Sequence, residues 1–171
     1  MTSASSRNLA AFVARYGGVY EHSPWVAEQC FVAAAGNPDA AGLAGIFAAC
    51  VDRADRATKL ALIRAHPDLA GRAAVRGELT ADSTGEQASA GINQCSPEEF
   101  RRFQEFNELY KSTFDFPFVM AVRNSNRHEI LAAFERRLQN DREQEFAQAI
   151  SEIHKIARMR LESIFRESSA A

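Results

Sequence analysis

Two short polar runs carry the residue types from which an acid–base site could be built. The first is Arg64-Ala-His66-Pro67-Asp68-Leu69-Ala70-Gly71; the second, about twenty residues on, is Ser83-Thr-Gly-Glu86-Gln87. Pro67 disfavours the helical conformation at the residue before it, so His66 stands where an amphipathic helix must stop. The polar end of a helix is a poor place to bury an imidazole and a good place to aim one into a cleft. A titratable ring, a carboxylate and neutral hydrogen-bonding groups together suit proton transfer near neutral pH. Each has a structural alternative. A histidine at a helix end gains from the helix dipole without any chemistry. Ser83-x-x-Glu86 is also the spacing of a capping box, in which Glu86 reaches back to the backbone of Ser83. On spacing alone the cap is the better description, but a helix N-terminus also presents free amides to an anionic ligand.

Two further segments add to these. Phe114-Asp-Phe-Pro117-Phe118 is aromatic and broken by a proline, so it is expected to be extended, with Val119–Val122 continuing it. Its structural alternative is core plus turn. Its functional one is that non-helical backbone leaves N–H and C=O groups that must find partners, a flat polar ligand among them. The same segment leads to Arg123. Near the C-terminus, Ile153, Ile156, Ala157, Leu161 and Ile164 mark the buried face of a helix. Arg160 borders that stripe. Arg158 projects about 160° away, because two residues turn a helix by about 200°. Such a bordering arginine usually bridges a neighbouring helix, and it can also grip a carboxylate bidentately.

The elements that must position these residues are helical almost throughout. A first helix is expected from near Asn8 to Tyr16. Ser23-Pro24 reads as N-cap and first-turn proline of a second, stopped at Gly36, and Asn37-Pro38 as the same device for a third. A fourth runs from near Arg56 to Ala65. Arg72–Gly77 holds a short helix or loop, and Ser83 precedes a helix reaching Asn93 or Gln94. Ser96-Pro97-Glu98-Glu99 is a strong start for a helix carrying Phe100, Phe103, Phe106, Leu109 and Tyr110. Two long helices follow, roughly Arg127–Gln139 and Asp141–Arg166. The expected fold is all-α, one compact domain with a core from about Asn8 to Phe165, an irregular bundle of seven to nine helices.

Bulk properties narrow the field. A chain of 171 residues is one domain by length and can bury a core without metals or disulfides. A net charge of -2, with no basic run interleaved with aromatics, argues against nucleic acid. Cys30, Cys50 and Cys95 form no CxxC or zinc pattern, and His22, His128 and His154 are scattered, so no metal site is expected. There is no apolar run of membrane-spanning length, no signal-peptide layout and no peroxisomal tail, which favours a cytoplasmic protein.

In this order, His66-Pro-Asp-Leu-Ala-Gly71, Ser83-x-x-Glu86-Gln87, Phe114-x-Phe-Pro-Phe118 and Lys155-Ile-Ala-Arg-x-Arg-Leu161 resemble the 2-oxo-4-hydroxy-4-carboxy-5-ureidoimidazoline (OHCU) decarboxylase family, the last step from uric acid to (S)-allantoin. The resemblance covers about Asn8 to Phe165. Asp115 departs from it where glycine is usual, as does Arg72 where lysine is common; a turn needing positive φ at Asp115 would be somewhat strained. The resemblance implies a cofactor-free, all-α homodimer acting on a small molecule. It implies His66 as catalytic imidazole and Glu86 as its carboxylate partner. Ser83 and Gln87 would hold the ureido and ring amides and Arg160 the substrate, with Pro67, Phe118 and Val119 walling the pocket and the Val119 and Met120 amides open to the ligand. The alternative is a non-catalytic helical module that binds a ureide or purine-derived ligand.

Overall fold

The computed structural model describes residues 2–36 and 38–170, with side chains from residue 8 onward. Among these residues there are nine α-helices, one 3₁₀ turn and no strand. They are α1 (Thr2–Tyr16), α2 (Trp25–Cys30), α3 (Ala40–Arg53), α4 (Arg56–Arg64), α5 (Arg72–Arg76), α6 (Ala81–Ser89), α7 (Pro97–Phe114), α8 (Arg127–Arg137) and α9 (Arg142–Ser169), with the 3₁₀ turn at Ile92–Gln94. The chain divides into two compact units, one of residues 1–65 and 154–171, the other of residues 66–153.

In the first unit, α1, α2, α3, α4 and the later part of α9 bury Tyr20, Leu43, Phe47, Val51 and Leu161. Phe12 meets both Phe31 and Phe47 edge-on, at centroid separations of 5.5 and 6.3 Å. Caps set the helix starts. The Asp39 carboxylate accepts from the Gly42 N–H at 2.8 Å, and that of Asp55 from the Thr58 N–H at 2.7 Å. The start of α3 is thus Asp39 and not Asn37-Pro38; Asn37 itself lies outside the described residues. Ser23 does not cap α2 either. Its hydroxyl donates to the Glu21 carbonyl at 2.9 Å, and α2 ends at Cys30, giving way to turns before Gly36.

The second unit is built on aromatic packing. Phe103, Tyr110, Phe114, Phe116, Phe118 and Phe134 are all buried, and Phe118 stacks on Phe134 with ring centroids 3.7 Å apart. α7 opens with the expected capping box: the Ser96 hydroxyl accepts from the Glu99 N–H, and the Glu99 carboxylate accepts from the Ser96 N–H. It closes on Asp115 in the left-handed region, φ 67°. That conformation is tolerated by Asp better than by most residues, and it turns the chain into the extended segment from Phe116 to Val122. Asn126 caps α8 with a second capping box through Glu129, a signal that spacing alone had not singled out.

Candidate active site

The turn that carries His66 is held against its own preferences. α4 ends at Arg64, and the chain enters the second unit at His66, which is buried. Pro67 fixes one backbone torsion of the next step. At Ala70 the backbone takes φ +51°, the left-handed region, in a buried non-glycine residue. Gly71 closes the turn so tightly that a Cβ there would come within 2.7 Å of the Asp68 Cβ. Four side chains hold this arrangement. Gln87 accepts from the Ala70 N–H at 3.1 Å, and its amide nitrogen lies 3.4 Å from the Asp68 carbonyl. From α7, Gln104 donates to the Ala70 carbonyl at 2.5 Å, Asn107 to the Leu69 carbonyl at 2.8 Å, and Lys111 to the Asp68 carboxylate at 2.5 Å.

α6 supplies the second component, in a geometry that differs from the capping box expected at Ser83. Thr80 is the cap, its hydroxyl accepting from the Ser83 N–H at 3.2 Å, so α6 begins at Ala81. Thr80 stands three residues before Ser83 and takes the very amide that a cap needs, which leaves Ser83 inside the first turn. Ser83, Glu86 and Gln87 therefore share one face of a helix by their three- and four-residue spacing. Ser83 and Gln87 are buried, and the Glu86 side chain is 12% exposed. That face meets the turn through Gln87, the neighbour of Glu86. The Arg123 guanidinium lies 3.9 Å from the Glu86 carboxylate.

The extended segment is the third component, and a buried ion pair fixes it. Arg137 donates to Glu145 through Nε (2.9 Å) and Nη2 (2.8 Å) and to the Val119 carbonyl through Nη1 (2.7 Å). Its guanidinium carbon is 4.4 Å from the centroid of the Phe118 ring. Glu145, fully buried, also accepts from the Tyr110 hydroxyl and from Asn140. Burial, and then the bond to Glu145, push the Tyr110 phenol far above its ordinary range, so it remains a donor. Two residues on, the Ala121 N–H donates to the Glu152 carboxylate at 2.8 Å. Both ends of the stretch are thus pinned, while none of these side chains takes the N–H of Val119 or Met120. Phe118 belongs to the aromatic core, and Pro67 and Met120 are half-buried.

The OHCU decarboxylase family model matches residues 5–162. The chain belongs to that family. A 2-oxo-4-hydroxy-4-carboxy-5-ureidoimidazoline decarboxylase of Haloferax volcanii is 42% identical over 157 residues, covering 91% of this chain and 89% of the relative. One from Amia calva is 37% identical over 168 residues, covering 97% and 94%. A crystal structure of (S)-allantoin synthase superposes with a TM-score of 0.72 at 35% identity; the match covers 93% of this chain and 51% of that longer one. All four motifs that carry the resemblance lie within the matched residues.

The remaining expected residue, Arg160, lies in the first unit. It is buried, and its guanidinium donates to the Glu21 carboxylate at 2.7 Å and to the Gly18 carbonyl at 3.3 Å. Sequence reasoning did not single out Gln104, Asn107, Arg137, Glu145 and Glu152. Buried polar residues inside otherwise apolar helical stripes were the available signal: Asn107 falls between Phe103 and Tyr110, and Glu145 precedes Phe146 and Ala149. A mainly apolar cavity of about 590 Å³, lined by Val75, Leu79, Ile92 and Phe100, reaches Ala70 and Gln87 but not His66 or Glu86. No group of His, Cys, Asp and Glu suited to a metal occurs among the described residues, and no described helix is long and apolar enough to cross a membrane.

Proposed function

We propose that this protein is a cofactor-free carboxy-lyase that converts OHCU to (S)-allantoin, with His66 and Glu86 handling stereospecific proton transfer. The observation that carries this is the tie between the His66 turn and Gln87, because Gln87 adjoins Glu86 on α6. The substrate's own chemistry makes a resident cofactor unnecessary. Its carboxylate sits on a carbon next to a C=N bond. As the C–C bond to the carboxylate breaks and CO2 leaves, the electron pair flows into that imine, whose nitrogen takes up a proton. The product of this step is an enol-like species. Its hydroxyl then loses a proton as the C=O forms, and the adjacent carbon gains one from a single face.

The protein's part is to orient the carboxylate across the π system and to serve the three proton transfers, onto nitrogen, off the hydroxyl and onto carbon. His66 carries the proton traffic, and Glu86 sets its orientation and charge. Ser83, Gln87 and the amides of Val119 and Met120 contact the ureido and ring groups, with Pro67 and Phe118 behind them. A homodimer spanning the whole chain as one functional domain, acting in the cytoplasm, completes the proposal; sedimentation of the purified protein tests the dimer.

The decisive assay generates OHCU in place from urate and follows optical rotation. Wild-type protein is expected to yield the (S) product where the uncatalysed reaction yields a racemate. His66→Asn is expected to abolish turnover with the helical circular dichroism unchanged. A racemate from wild type, as expected of a module that binds a ureide without catalysis, overturns the proposal.

A further inference from the structure

We infer that Gln104 and Asn107 on α7 are positioning residues for the decarboxylation, acting through the Asp68–Gly71 turn to hold the His66 imidazole in register with α6. The inference rests on the function proposed above.

The turn cannot hold its shape by backbone preference alone. Ala70 sits at φ +51°, where a residue with a Cβ is disfavoured, and Gly71 closes against Asp68 with no room for a side chain. The bonds from α7 and α6 select this conformation over the alternatives. Gln104 takes the Ala70 carbonyl, Asn107 the Leu69 carbonyl and Gln87 the Ala70 N–H. Between the held residues and His66 stand only Asp68 and Pro67. The ring of Pro67 removes one torsion from that short link, so a displacement of the turn is passed to the imidazole with little to absorb it.

Asn107 shows that this bond, not packing, accounts for its presence. The residue is buried in a stripe with Phe103, Tyr110 and Phe114, where a leucine would continue the apolar face. Its Nδ2 donates to the Leu69 carbonyl, while its Oδ1 has no partner among the described residues. A buried acceptor left unpaired costs stability. Core packing alone does not call for that cost; fixing the turn does. Gln104 is half-buried, so its substitution perturbs the core far less.

The test uses Gln104→Met, which keeps the length and removes the donor, Asn107→Leu, and Gln104→Lys, which restores a donor. We expect kcat to fall at least tenfold in the first two with KM within about twofold, and to recover to within threefold of wild type in Gln104→Lys. A merely structural role lowers the melting temperature and leaves kcat per folded molecule unchanged. The His66 Hε1 resonance gives a second readout, independent of turnover: one line in wild type, broadened or split in Gln104→Met. If Asn107→Leu fails to fold, Gln104→Met and its lysine counterpart decide the matter. An unmoved resonance and a wild-type kcat in Gln104→Met, beside an inactive His66→Asn, overturn this inference and leave the decarboxylase assignment standing. A racemic product from wild type strikes that assignment, and the resonance still reports on the clamp.

Discussion

Arg137→Met is the most demanding test of how the extended segment is held. The methionine fills most of the volume of the arginine stem and removes three interactions at once. Glu145, with no exposed surface, loses its only cationic partner among the described residues and keeps the Tyr110 hydroxyl and the Asn140 amide. Breaking a buried pair from one side costs about 3–5 kcal/mol, because the remaining charge is stranded. The Val119 carbonyl loses its donor at 2.7 Å, and an unpaired buried acceptor costs about 1–3 kcal/mol. These overlap, so the expected loss is about 4–6 kcal/mol, comparable with the whole stability of a marginal domain at about 5 kcal/mol. With an m value of about 2 kcal/mol/M, the urea midpoint falls by about 2–3 M.

The double variant Arg137→Met/Glu145→Leu separates the causes. Replacing both partners removes the stranded charge, so stability should return to within about 2–3 kcal/mol of wild type. Turnover should remain low, since nothing then tethers the Val119 carbonyl. Urea unfolding followed by circular dichroism gives the three free energies of the cycle. A single-variant loss below about 1 kcal/mol, or a double variant as unstable as the sum of the two singles, refutes the account of a buried charge pair.

Other perturbations follow from the same geometry. Arg160→Lys keeps the charge and loses the guanidinium fork that meets Glu21 and Gly18, so the thermal midpoint should fall by the equivalent of about 1–2 kcal/mol; a KM for OHCU that rises as well supports a substrate contact, and an unchanged KM leaves Arg160 a structural role. Asp115→Gly should change stability by less than about 1 kcal/mol, since relief at φ 67° offsets the glycine's entropy, whereas Asp115→Val should cost about 1–2 kcal/mol; equal thermal melts for the two would refute the strain argument. The Glu99 carboxyl is held below its ordinary range, first by the Ser96 N–H and then by Arg127. A depressed carboxylate contributes stability above its unfolded pKa of about 4.3 that is lost as pH falls through the folded value. Glu99→Gln should therefore be less stable than wild type at neutral pH and show a flatter acid limb in a plot of unfolding midpoint against pH.

What was legible in the sequence were the features written in local spacing. The Ser96-Pro97 start of α7, the stop before His66 and the extended run after Pro117 each depend on residues within one helical turn of each other, and each occurs as expected. Three expected caps do not hold: Thr80 takes the Ser83 amide, Asp39 caps α3 through the Gly42 amide, and the Ser23 hydroxyl turns back to the Glu21 carbonyl; composition does not rank such rivals. What the sequence could not show was which distant side chains serve the backbone of the site. Asn107 lies 38 residues from Leu69, and Arg137 lies 18 from Val119. Neither spacing carries a period. Only the packing of α6, α7 and α8 around the aromatic core brings those donors to those carbonyls.

Single-face protonation needs the imidazole and the substrate's ring plane fixed relative to each other, and binding energy alone does not fix a ring's rotation. Here the two sides are anchored differently. On the imidazole side, three neutral amides and the Lys111 ammonium hold a backbone turn that is strained at Ala70. On the segment side, a buried ion pair and the Glu152 carboxylate hold backbone on either side of Met120. The donors to Leu69 and Ala70 are neutral, with the Lys111–Asp68 pair as the charge on the turn, and in the proposed mechanism any further charge there acts on the proton affinity of His66; the charged groups of the second side hold backbone that does not titrate. Moving charge to the first side should therefore alter the pH dependence of turnover, while loosening the second should alter rate and stereochemical fidelity at every pH. Gln104→Glu removes the donor to the Ala70 carbonyl and adds a carboxylate beside the turn, so it should lower kcat as Gln104→Met does and, unlike Gln104→Met, also raise the pH at which half-maximal kcat is reached. Arg137→Met/Glu145→Leu should lower rate and enantiomeric excess with the pH profile unmoved, and a shift in pH profile from that double variant, with fidelity intact, would break the division.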